Sequence, residues 1–235
     1  ACFVRDALAA IEVIAVHGRV VLLTGGTGLY LKALFEGLFS ELPRDEGVRR
    51  ILFERLMCEG RERLHAELCR IDPVAGARVH VNDTQRLLRG LEICQVSGVT
   101  WTDLIKEQKK KCEKFDIFEN VFQVALTRER EELYQRISRR SEMMFDQGFI
   151  EEVKGLQEKG YSEGLSSMQS IGYRHVNNFL VGKWSQKEML EYLVRDTRRY
   201  AKRQMTWFRK DENLHWFNPL DEDLIVEQVA RRLFL

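Results

Sequence analysis

The densest chemistry in this sequence lies between residues 195 and 204. Arg195, Arg198, Arg199, Lys202 and Arg203 place five cations within about three helical turns, relieved only by Asp196. Like charges this close repel unless an anion or carboxylates neutralise them. A polyanion is the partner that charge density suggests. Gln204, Thr206 and Trp207 add hydrogen-bonding and stacking groups. The competing reading is a solvated helix face. Arg86 and Arg89, three residues apart, are expected to point outward from one helix, opposite Leu87, Leu88 and Leu91. With Gln85 and Asn82 beside them, they suit phosphates and base edges, or are plain surface arginines. Arg174 follows Ser170-Ile171-Gly172-Tyr173 and reads as a loop-borne arginine. It can clamp a phosphate or cap a local carboxylate. Gly25-Gly26-Thr27-Gly28 lets a ligand approach the backbone, offers helix N–H groups to an anion and adds the Thr27 hydroxyl. Taken alone the signal is weak and an ordinary strand-to-helix turn is the commoner explanation; no G-x-x-x-x-G-K-[ST] phosphate loop occurs in the chain.

The elements that must position these groups follow from periodicity. Apolar residues at helical spacing predict a helix over 3–16, ended by Gly18. The apolar run 19–24 predicts a strand buried on both faces. The glycine turn then opens a helix through Leu29, Ala33, Leu34 and Leu38. Helix, buried strand, glycine turn and helix in series are α/β grammar. Residues 48–111 show only helical periodicity, with Asp72-Pro73 and Asp83 as helix starts and Gly98 as a stop. Strand character returns at 121–127. Helices are then predicted over 129–147, 149–158, 166–180, 186–209 and 221–235, with a short strand at 214–217. The expected organisation is residues 1–43 as part of an α/β core, 44–113 as an inserted helical domain, and 114–235 as the rest of the core with C-terminal helices.

Composition narrows the class. The 235 residues are 44% hydrophobic and 31% charged, ordinary for a globular protein. A net charge of +1 places any nucleic-acid footprint in local clusters, such as 195–210 and Lys109, Lys110 and Lys111. The five cysteines include no C-x-x-C pair and the five histidines no H-x-x-x-H pair, which argues against a disulfide framework or a zinc site. No apolar run approaches membrane-helix length.

Four segments resemble one family in order and spacing. They are Gly25-Gly26-Thr27-Gly28-Leu29-Tyr30, Asn82-Asp83-Thr84-Gln85-Arg86-Leu87-Leu88-Arg89, Ile171-Gly172-Tyr173-Arg174, and the thirteen residues from Thr197 to Arg209. Together they are similar to the tRNA dimethylallyltransferases, or IPP transferases, from about Phe3 to Trp216. The last segment is specific; the glycine turn alone is not. The resemblance implies a P-loop-type α/β core with a helical insertion that grips the tRNA anticodon stem-loop. It implies transfer of a dimethylallyl group from dimethylallyl diphosphate to the exocyclic amine of the adenosine 3′ of the anticodon, assisted by Mg2+. By motif, Thr27 is expected at the channel where adenosine and isoprenoid meet, and Arg174 at the diphosphate. Gln85, Arg86, Leu87, Leu88 and Arg89 are expected at the tRNA, with Arg199, Tyr200, Ala201, Lys202, Arg203 and Gln204. Arg49 matches a family position near the tRNA less securely. A monomeric cytoplasmic enzyme is implied.

The family's phosphate loop and its aspartate general base lie N-terminal to the first helix here. The chain is therefore expected to be an N-terminally truncated and inactive part of such an enzyme, with the magnesium ligands mainly outside it. Gly90 stands where the family often has alanine, and Arg199 where it often has glutamine. Two other readings remain: an adenylate isopentenyltransferase acting on a free nucleotide, and a non-catalytic tRNA-binding module.

Overall fold

The computed structural model describes residues 2–35, 42–111 and 121–234. It is an α/β protein, mostly helical, with a two-stranded parallel sheet. The chain divides into two compact units, Ala1–Glu119 and Asn120–Leu235.

Among the described residues, unit one holds seven helices: α1 (Cys2–Val16), α2 (Gly28–Phe35), α3 (Glu46–Glu59), α4 (Arg61–Ile71), α5 (Pro73–Arg78), α6 (Thr84–Ser97) and α7 (Trp101–Lys111). The expected stops at Gly18 and Gly98 both have positive φ, 65° and 72°. Asp72 and Asp83 cap α5 and α6 by accepting from Ala75 N–H and Arg86 N–H. Asp72 is also buried, and both Thr102 N–H and the Thr102 hydroxyl donate to it, which ties α5 to α7. Leu52, Leu64, Leu68, Leu87 and Leu91 are fully buried and form the core under α3, α4 and α6. Each fully buried leucine contributes about 1.5–3 kcal/mol. At Gly90, α6 lies close against α4 and α7. A Cβ there would sit 3.1 Å from Trp101 Cε3 and 3.2 Å from Leu68 Cδ1.

The buried strand expected over 19–24 is not seen. These residues carry no regular hydrogen-bonded structure, and Val20 and Leu22 are 53% and 84% exposed. Residue type favours an extended backbone here, but a strand also needs a ladder partner, and none is described beside it in its unit. Of the helix expected after the glycine turn, Leu38 lies outside the described residues, as do Cys112 and the expected boundary at 113/114.

Unit two opens on β1 (Val124–Leu126). It continues through α8 (Arg130–Asp146), α9 (Phe149–Glu158), α10 (Tyr173–Leu180), α11 (Gln186–Phe208) and β2 (His215–Phe217) to α12 (Glu222–Phe234). The two strands, 91 positions apart, pair in parallel with Val124 opposite His215 and Leu126 opposite Phe217. The single helix expected over 166–180 is broken. A 3₁₀ turn over Ser167–Gln169 is separated from α10 by Gly172, whose φ of 105° no helix accepts. Ser185 and Glu188 form a reciprocal capping box that starts α11. α10 and α8 both pack on α11, with Val153, Met168, Val176 and Met189 at the centre of this core.

Candidate functional site

Gly172 sets the direction of α10, so Arg174 enters in the first helical turn and not on a loop. Arg174 meets α11 there. Its Nη2 donates to Asp196 Oδ2 at 2.5 Å, and its side chain stays 38% exposed. The neighbouring His175 is fully buried. Gly172 N–H donates to its Nδ1, and its Nε2 lies 3.3 Å from the same Asp196 oxygen. The other oxygen of Asp196 accepts from Arg195 Nε at 3.1 Å and lies 3.5 Å from Arg199 Nη1. One carboxylate, 15% exposed, therefore serves three arginines. Burial pushes its pKa up, but the Arg195 hydrogen bond and the charges of Arg195, Arg174 and His175 outweigh this and hold it below the ordinary value. Burial and the Arg174 charge push the His175 pKa down, against an upward pull from Asp196.

One turn further along α11, Lys202 and Arg203 are exposed. Lys202 has no ion-pair partner among the described residues. Arg203 lies over the Tyr200 ring at 5.7 Å. Ala201 and Gln204 are half-buried. Arg198 points differently: it donates to Ser138 and stacks over Tyr134 on α8. A groove of about 490 Å3 runs there between α8 and α11, edged by Arg195, Arg199 and Lys202. The cations of 195–203 are thus divided among an Asp196 cluster, an α8 contact and an exposed stretch.

In unit one, Thr27 is exposed, and its carbonyl accepts the first hydrogen bond of α2, from Tyr30 N–H at 2.9 Å. Gln85 is exposed and Arg86 is 70% exposed, 3.5 Å from its own cap Asp83. Leu87 is fully buried and Leu88 packs against the core, so neither side chain is offered to solvent as the arginines are. Arg89 corrects the expectation that it points outward beside Arg86. It is 23% exposed, pairs with the buried Glu92 at 2.7 Å, and donates to the carbonyls of Pro43 and Leu42. Arg49 joins the same carboxylate, 3.1 Å from both Glu92 oxygens, while remaining 52% exposed. Asp45 N–H completes the set. Burial alone would raise the Glu92 pKa; the bonds from Arg89, Asp45 and Arg49 hold it below its ordinary value.

The model of the IPP transferase family matches residues 1–211. The chain is 46% identical over 231 residues to a tRNA dimethylallyltransferase of Desulfotalea psychrophila, covering 98% of this chain and 72% of that one. This protein belongs to the IPP transferase family. Its fold is similar to that of the tRNA isopentenylpyrophosphate transferase of Bacillus halodurans, with a TM-score of 0.62 at 34% identity over 97% of this chain and 70% of that one. It is also similar to a eukaryotic dimethylallyltransferase solved acting on tRNA, with a TM-score of 0.67 at 26% identity over 97% and 59% of the two chains.

Within this IPP transferase, Glu92 and His175 are site-adjacent groups that motif reading passed over. Both are buried polar side chains; Glu92 stands between Leu91 and Ile93, and His175 between Arg174 and Val176. For Glu92 a signal existed: an acid one turn beyond Arg89 on a largely apolar helix face. Among the described residues, no three His, Cys, Asp or Glu side chains are grouped to hold a metal ion. The magnesium implied by the family resemblance has no such group of ligands among the described residues.

Proposed function

We propose that this protein is a tRNA dimethylallyltransferase. It transfers the dimethylallyl group of dimethylallyl diphosphate to the N6 amine of the adenosine 3′-adjacent to the anticodon. The allylic C–O bond breaks as the C–N bond forms, diphosphate departs and the amine gives up a proton. Charge grows on the leaving diphosphate as the carbon becomes cationic. An arginine aimed at the diphosphate therefore stabilises the transition state more than the bound substrate. Arg174 takes that role. Arg86, Arg199, Lys202 and Arg203 take RNA phosphates or base edges, with Gln85 and Gln204 as amide readers. Thr27, at the start of α2, faces the meeting point of base and isoprenoid, and the target base leaves its stack to reach it. Helices α3–α7 act as the inserted tRNA-gripping domain. The protein works as a monomer.

The observation that carries this reading is α11. One helix holds Asp196, the partner of Arg174, and about two turns on presents Lys202 and Arg203 to solvent. Diphosphate chemistry and RNA binding then share one rigid element. The relatives named for tRNA support the polynucleotide acceptor over a free nucleotide. The test uses the full-length protein with labelled dimethylallyl diphosphate, offering an anticodon stem-loop and AMP in parallel. Label is expected in the stem-loop at the adenosine beside the anticodon. Label in AMP alone would replace this reading by an adenylate isopentenyltransferase, and stem-loop binding with no transfer by a binding module.

A further inference from the structure

Three arginines converge on one carboxylate in unit two. Arg174 approaches Asp196 from α10, while Arg195 and Arg199 approach from its own helix. The balance is one negative charge against three positive, a surplus that an incoming anion neutralises. A purely structural ion pair would close the charge and leave no such surplus.

The atoms divide the work. Oδ2 of Asp196 accepts from Nη2 of Arg174 and lies 3.3 Å from Nε2 of the buried His175, and no other side-chain hydrogen bond of Arg174 is present among the described residues. A guanidinium has five N–H donors, so most of the fork is unused. Oδ1 faces Arg195 and Arg199 on the solvent side of α11. At 15% exposure Asp196 is shielded, and its hold on Arg174 is screened less than that of a surface pair.

We propose that Asp196 is a positioning residue for prenyl transfer: from α11 it fixes the Arg174 guanidinium by one nitrogen and leaves the remaining donors for the departing diphosphate. This rests on the reading of Arg174 as the diphosphate ligand. It adds that the RNA-facing helix itself sets that arginine's orientation. Nothing in the four family-like segments marks Asp196, which precedes the last of them by one residue.

The test is single-turnover transfer and stem-loop affinity in the full-length protein, for Arg174→Ala, Asp196→Asn and the double variant. Asp196→Asn is expected to slow the chemical step roughly ten- to a hundredfold, the scale of a displaced catalytic group. Stem-loop affinity should hold or tighten, because a negative charge beside the cationic face is removed. A loss of structure alone would weaken binding. In the Arg174→Ala background, Asp196→Asn should add almost nothing. Asp196→Glu keeps the charge on a longer arm and should recover part of the rate; it carries the same cycle if the asparagine variant melts early. The proposal is overturned by a normal rate in the Asp196 variants while Arg174→Ala is slow, or by losses that multiply in the double variant. A normal rate for Arg174→Ala itself would instead remove the reading of Arg174 on which the proposal stands.

Discussion

Arg89 and Glu92, one turn apart on α6, form a 2.7 Å ion pair that also gathers the carbonyls of Leu42 and Pro43 and the guanidinium of Arg49. The pair fastens the segment entering α3 to the middle of α6. An arginine that motif reading assigns to RNA is engaged with the protein itself.

Glu92→Gln should therefore destabilise the protein. Two guanidinium groups would lose their counter-charge, but Arg49 is half exposed and recovers water. The expected loss is about 1–3 kcal/mol, read by denaturant unfolding. The pH dependence follows in sign. The folded pKa of Glu92 is lowered, so its stabilisation is present above the unfolded value of about 4.3 and is lost as pH falls through the lower folded value. The glutamine variant should lack that part of the acid transition.

Arg86 and Arg89 should separate cleanly when each is changed to alanine. Arg86→Ala should leave stability within about 0.5 kcal/mol, as for an exposed side chain. It should weaken stem-loop binding and flatten the salt slope by up to about 0.7–0.9. Arg89→Ala should lower the unfolding free energy by more than Arg86→Ala does. Equal melting curves for the two variants would contradict the geometry.

Gly172→Ala should be among the costliest small changes in unit two. Its φ of 105° is disfavoured for any residue with a Cβ, and the added carbon would lie 3.0 Å from Phe149 Cζ. A penalty of about 1–3 kcal/mol is expected from the backbone alone. Transfer activity should fall as well, because the same backbone aims Arg174.

His175 should make the fold acid-sensitive in a higher range than the carboxylates do. Its folded pKa is lowered. The unfolded chain therefore takes the proton at about 6.5 while the folded chain resists, and stability falls as pH drops from there toward the folded value. Protonating Nδ1 would also break its bond from Gly172 N–H. His175→Gln should flatten melting temperature against pH below about 6.5.

Particular residues show what sequence alone made legible. α5 and α6 could be placed because an N-cap acts within three residues of itself: Asp72 reaches Ala75, and Asp83 reaches Arg86. α11 was legible from the apolar residues spaced along it, of which Met189 and Leu193 are buried. Arg89 was misjudged because three residues advance a helix by 300°, leaving it about 60° round from Arg86. That rotation turns it toward Glu92 and the 42–43 carbonyls, which come from another part of the chain. The 19–24 segment shows the same limit: local residue type sets an extended backbone, and a strand is made only by a neighbour. Arg174 was expected on a loop because the positive φ of Gly172, which starts α10, is not visible in the residue letter.

Gly90 carries a consequence for how this sequence can drift. An alanine there would gain up to about 1 kcal/mol of helix propensity, yet its methyl would press on Leu68 and Trp101 at 3.1–3.3 Å. Overpacking of that kind costs about 1–3 kcal/mol unless the neighbours yield. Positions 68, 90 and 101 are therefore expected to change in concert: relatives with alanine at the middle position should carry a slimmer or re-angled side chain at one of the other two, and exchanging position 90 alone between such relatives should harm whichever protein receives it.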